Sequence, residues 1–131
     1  MTHGAKIMRS QLGRARGLGS AKTGTEHWWV ERVTAAALVP LSLWFVFSVL
    51  AMLGADQPVV AAWVARPINA ALLLALVLMS FRHAALGLQV VLEDYVHGAV
   101  RTASILGVKA AALLLGLIAT LAVIKLFLAA H

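Results

Sequence analysis

Three apolar runs dominate the chain, separated by short polar breaks. They cover residues 32–53, 67–92 and 103–129. At about 22, 26 and 27 residues, each exceeds the ~20 that an α-helix needs to cross hydrocarbon. The pattern predicts an all-α chain of three transmembrane helices. Pro40 falls inside the first, where a membrane helix tolerates it and can bend at it. The second, about 39 Å long, outspans a hydrocarbon core of about 30 Å and is expected to tilt or protrude. In the third, Lys109 and Lys125 lie about 24 Å apart along the axis, so each can snorkel to an opposite interface.

The polar breaks carry their own signals. Residues 26–31 read EHWWVE, a border zone in which Trp28 and Trp29 suit the headgroup level. A short loop with Asp56, Pro58, Trp63 and Arg66 joins the first two helices, and a second loop is expected over 93–102. Residues 1–25 scatter Gly4, Gly13, Gly17, Gly19 and Gly24 among bases, which predicts an irregular arm. Two regions follow: residues 1–31 as a basic arm with its interface segment, and residues 32–131 as a three-helix membrane domain. No internal repeat is visible.

Composition sharpens the membrane reading. The chain is 62% apolar and 12% charged, with a mean hydropathy of +0.91, beyond the range of a soluble domain. It has no Cys, which excludes disulfides and thiolate metal sites. The net charge of +6 is uneven: Lys6, Arg9, Arg14, Arg16 and Lys22 precede the first helix with no acid among residues 1–25. Ahead of an apolar body, such a tail points to anionic lipid or to topology, and no nucleic acid is expected as a partner. The basic, acid-free arm also resembles a mitochondrial transit peptide, whereas the Ala-rich body suggests a bacterial chain that keeps its arm. With Arg66 in the first loop and Arg101 in the second, the positive-inside rule predicts a cytoplasmic N-terminus and second loop. The C-terminus is then on the opposite side, in a multi-pass protein of the bacterial inner membrane. No segment outside the predicted spans is longer than that before the first, so a flavin or nucleotide domain does not fit. Any chemistry is expected to use embedded residues or a partner's soluble domain.

Ionisable residues inside or beside the spans are the candidates, because placing them there is costly. His83 sits about three turns in from the second loop. Its neutral imidazole suits either a hydrogen bond to a neighbouring helix or axial ligation of haem iron. Gly87, one turn on, removes bulk on the same stripe, as a flat ligand at His83 requires. No second histidine lies at matching depth, so a six-coordinate haem needs a ligand from another chain. Arg82 points about 100° away from His83. It is either an inter-helix or snorkelling cation, or a cation for haem propionates. Arg32 is either an interface anchor or a cation for propionates or a quinone site. Asp94 falls nearly on the His83 stripe, about 16 Å along the axis, and Tyr95 follows it. Separately they read as a helix end and an aromatic-belt residue. Together they place an acid and a phenol at the membrane border, able to hydrogen-bond a polar headgroup.

The sequence His83-x3-Gly87-x6-Asp94-Tyr95, continued by Val96-His97-Gly98, resembles the second helix of the small hydrophobic membrane anchor of succinate dehydrogenase (respiratory complex II). Trp28-Trp29-Val30-Glu31-Arg32-Val33-Thr34-Ala35 resembles the start of that family's first helix. The resemblance covers roughly residues 17–128, with its specific part at 83–98. The Asp-Tyr pair, and the lack of an Arg-His-Leu continuation after the glycine, favour the small anchor over the large one. The resemblance implies a non-catalytic subunit. In such a complex a flavoprotein oxidises succinate, and an iron–sulfur subunit passes the electrons to ubiquinone at the membrane border. The small anchor and the large cytochrome b anchor form the quinone site and share a b-type haem. Carried over, His83 is one axial haem ligand, Tyr95 hydrogen-bonds a quinone carbonyl, Asp94 is a polar neighbour, and Arg32 is a propionate candidate. Arg82 stands outside the matched pattern, and the haem and quinone roles are independent of each other. The competing reading is a structural three-helix protein or small transporter subunit without cofactor.

Overall fold

A computed structural model describes residues 21–129, and side chains from residue 24 onward. Within it the chain is helical throughout, with four helices: α1 (Ala21–Ala51), α2 (Gln57–Val64), α3 (Pro67–Tyr95) and α4 (Gly98–Leu128). Three are long and apolar enough to cross a membrane: Gly24–Ala51, Pro67–Tyr95 and Gly98–Leu128. Long apolar segments become helices in lipid because a helix satisfies its backbone polar groups internally.

Each long helix outruns its apolar stretch. α1 reaches back to Ala21, so EHWWVE and the last five residues of the expected irregular arm are helical, and the 31/32 boundary falls inside one continuous helix. The rest of that arm lies outside the described residues. α1 also continues through Pro40. α3 begins at Pro67 as expected and runs three residues further, to Tyr95. α4 starts at Gly98 rather than at residue 103, which shrinks the second loop to Val96 and His97. Gly98, at φ +69°, takes the left-handed conformation that makes so short a reversal possible.

The first loop contains a helix that hydropathy does not reveal. Gly54, at φ +79°, turns the chain out of α1. Asp56 in extended conformation and proline in the first turn then open α2. Arg66, extended ahead of Pro67, separates α2 from α3, as the residue before proline must. Asn69, only 8% exposed, donates Nδ2–H to the Trp63 carbonyl at 2.8 Å. That bond ties the end of α2 to the first turn of α3. Trp63 also stacks on Trp44 of α1, with ring centroids 5.5 Å apart.

α3 is the central helix. It packs against α1 on one side and α4 on the other, while α1 and α4 do not meet. The buried apolar residues are few: Val64, Ala65, Ala70, Leu73, Ala85 and Leu86. Small side chains at such seams let helix backbones approach closely, which is how helices associate in lipid. Gly116 of α4 shows this directly: a Cβ there would stand 3.4–3.6 Å from the Phe81 side chain of α3.

Candidate functional site

The centre of α3 meets α1 through a polar contact. Thr34 on α1 and His83 on α3 approach at 3.1 Å between Oγ1 and Nδ1. Thr34 is 4% exposed. Its hydroxyl also lies 2.7 Å from the Val30 carbonyl and 2.9 Å from the Glu31 carbonyl, in the preceding turn of α1. His83 is half-buried, and Nε2 has no hydrogen-bond partner among the described residues. One ring nitrogen meets the neighbouring helix, and the other is unpartnered among the described residues.

Gly87 adds to this. A Cβ built there meets nothing within 4 Å. Packing within the chain gives no reason for glycine one turn from His83. The space beside the imidazole is open.

Arg82 lines a groove of about 540 Å³ between α1 and α3 with Trp29, Val33, Thr34, Leu78 and Met79. It also lines a second groove of about 400 Å³ between α3 and α4, where Lys109 is the other cation. No carboxylate lines either groove. An anion paired with Arg82 must therefore come from outside these walls. Arg32 is placed differently. Its guanidinium lies 4.5 Å from the Trp28 ring centroid, one turn back on the same helix, and Trp28 meets Trp29 edge-on at 5.2 Å. This cation–π contact fits the interface-anchor reading of Arg32, and Arg32 lines neither groove. Arg82 thus shares a groove wall with Thr34, and Arg32 does not.

Asp94 and Tyr95 are the last two residues of α3, both exposed, with Tyr95 at 80%. Neither side chain makes a hydrogen bond among the described residues. They share one end of α3 but lie about 16–18 Å along the axis from His83. The chain therefore offers two separate stations on one helix: an imidazole at depth, and an acid with a phenol at the end. Among the described residues, no three of His, Cys, Asp and Glu converge to hold a metal ion, so His83 contributes a single donor.

Two polar residues escaped the sequence reading. Thr34 was visible only as part of the Trp28–Ala35 stretch, and a hydroxyl in a helix ordinarily bonds its own backbone. Gln89, on the α3 turn before Glu93, donates Nε2–H to Glu93 Oε1 at 2.7 Å, while its own Oε1 is covered and unpartnered.

The family described as succinate dehydrogenase/fumarate reductase transmembrane subunit matches residues 6–124. The chain belongs to that family. Among curated relatives, it is 43% identical over 88 residues to the succinate dehydrogenase hydrophobic membrane anchor subunit of Rickettsia bellii, covering 67% of this chain and 70% of that one. It is 36% identical to the subunit of the same name from Rickettsia conorii, over 67% of this chain and 71% of that one. The Paracoccus denitrificans subunit of that name is 35% identical, over 70% and 71%. No solved structure matches. In this transmembrane-subunit family member, the candidate site residues fall on α3 and on the start of α1.

Proposed function

We propose that this chain is the small membrane anchor of a succinate:ubiquinone oxidoreductase, docking the complex in the membrane, ligating a shared b-type haem and lining the quinone site. Membership of the transmembrane-subunit family and three membrane-long helices support the anchor role. The partners are a flavoprotein, an iron–sulfur subunit and a second, cytochrome b anchor, together with lipid. The excess of bases before α1 puts the N-terminus and the Val96–His97 turn in the cytoplasm, and the C-terminus across the bacterial inner membrane.

The observation that carries the haem role is His83, held at Nδ1 by another helix with Nε2 unengaged. The residues present fit the group. An imidazole is available, Gly87 leaves room for a flat ring beside it, and Arg82 offers a cation without a carboxylate of its own. His83 would hold a haem there together with a residue of the larger anchor, and the group would supply a one-electron carrier.

The quinone role belongs to the end of α3. Ubiquinone takes up two electrons and two protons, and its carbonyl oxygens gain charge as it does so. Tyr95 offers an O–H to such an oxygen without burying a charge. Asp94, one position earlier, points about 100° away and lines a different wall.

The test is His83→Ala in the assembled complex. The low-spin b-type bands are expected to shift or vanish, while succinate oxidation by an artificial acceptor persists. An unchanged spectrum removes His83 from the ligand set. Purification in mild detergent without flavoprotein, iron–sulfur protein or second anchor would instead favour a structural or transporter subunit.

A further inference from the structure

Thr34 does more than fill the seam between α1 and α3. Its oxygen has three partners within reach: Val30 O at 2.7 Å, Glu31 O at 2.9 Å and His83 Nδ1 at 3.1 Å. A hydroxyl carries one proton and two lone pairs. The shortest contact has the length of a well-formed O–H···O bond and follows the i−4 geometry by which threonine bonds back to its own helix. The proton therefore goes to the Val30 carbonyl. What remains for His83 is a lone pair, so Nδ1 must carry the hydrogen and donate it. A neutral imidazole has one N–H, which leaves Nε2 bare.

We propose that Thr34 is a positioning residue that holds His83 in the Nδ1–H tautomer and turns the bare Nε2 toward the haem iron. The role presupposes the haem reading given above, but it specifies which nitrogen binds and what sets it. Thr34 is 4% exposed, so water cannot readily take its place. The relay from His83 N–H to Thr34 O–H to the Val30 carbonyl is polarised along its length. Electron density pushed onto the ring makes Nε2 a stronger donor and favours ferric iron. Such outer partners of ligating histidines typically matter about tenfold to a hundredfold in affinity.

The experiment compares Thr34→Val, Thr34→Ser and His83→Ala in the complex purified with its partners. Valine keeps the shape and removes the acceptor, whereas serine keeps the hydroxyl. Thr34→Val is expected to weaken haem retention about tenfold or more, and to move the midpoint potential of the remaining haem upward. Thr34→Ser is expected to restore both. Nitrogen-15 NMR of histidine-labelled complex from cells blocked in haem synthesis reads the tautomer without the cofactor. The parent and Thr34→Ser are expected to show Nδ1–H at His83, and Thr34→Val to lose that preference. If His83→Ala abolishes the low-spin bands while Thr34→Val matches the parent in retention, potential and tautomer, the Thr34 role is overturned and the haem reading stands. Serine behaving like valine overturns it as well. If His83→Ala leaves the spectrum intact, the haem reading fails and the iron-directed role of Thr34 falls with it.

Discussion

Tyr95→Phe separates the quinone site from the fold more cleanly than any other change in this chain. The substitution keeps the ring and removes one hydroxyl. That hydroxyl makes no hydrogen bond among the described residues, and the side chain is 80% exposed. The chain itself loses no contact, so its stability is expected to move by no more than about 0.5 kcal/mol, as at other surface positions. Any larger effect must come from a ligand. A hydrogen bond between neutral groups contributes about 0.5–1.5 kcal/mol, or roughly two- to twelvefold at about 1.4 kcal/mol per decade. If the quinone oxygen is charged when the bond matters most, the contribution rises to about 1.5–3 kcal/mol, roughly ten- to hundredfold.

Kinetics distinguish these cases. Loss of a bond of equal strength throughout raises KM and leaves kcat alone, whereas loss of one that strengthens as charge develops lowers kcat. The assay is succinate-driven reduction of a short-chain ubiquinone by the purified complex. Succinate oxidation with an artificial acceptor and the haem spectrum serve as internal controls, and both should equal the parent's. The expected result is a several-fold loss of quinone reduction, seen mainly in kcat. Quinone kinetics within twofold of the parent would place the quinone away from Tyr95.

Two further substitutions test the seams and the open face. Gly116→Ala brings a Cβ into ordinary contact at 3.4–3.6 Å from Phe81 and gains about 1 kcal/mol of helix propensity, so the Tm of the solubilised complex should rise slightly. Gly116→Leu drives a branched side chain into that ring and should cost about 1–3 kcal/mol, seen as a lower Tm; an unchanged Tm would mean α3 and α4 do not pack there. A Cβ at Gly87 meets nothing within 4 Å, so Gly87→Leu should still assemble, while haem content measured by pyridine haemochrome should fall sharply. Full haem content in Gly87→Leu would show that the flat ring lies elsewhere.

The three spans were legible because hydropathy reports burial in lipid, and these runs are long enough to need no other signal. Helix ends were not, because a helix makes its own backbone bonds on either side of the hydrocarbon boundary. EHWWVE, Glu93–Tyr95 and the start of α4 are polar or broken in pattern yet helical. α2 was hidden by its eight-residue length, although the sequence Asp56-Gln57-Pro58 carries a helix-start signal. At the site, His83, Asp94 and Tyr95 stood out because each interrupts or closes an apolar run. Thr34 did not, because only the register of α1 against α3 reveals what its hydroxyl faces. Helical spacing gives the angle between Arg82 and His83, but not that the Arg32 side chain folds back on Trp28 within α1.

On the proposed haem reading, the packing order leaves the site in this chain open to a partner. α3 carries the imidazole, α1 carries its hydrogen-bond partner, and α4 meets only the far side of α3 and α2. A closed bundle would place α1 against α4 and enclose the centre of α3. Here they do not meet, and the grooves on either side of Arg82 stay open. Lipid offers no hydrophobic drive to close them, because its tails are as apolar as leucine. What favours a partner helix is small-residue packing and satisfaction of polar groups: the space at Gly87, the bare Nε2 of His83 and the uncompensated charge of Arg82. All three lie on or beside one stretch of α3, within about 8 Å along its axis. On the proposed haem reading, a second anchor that brings another ligand answers all of them at once, so haem binding is expected to tighten subunit assembly without being required for it.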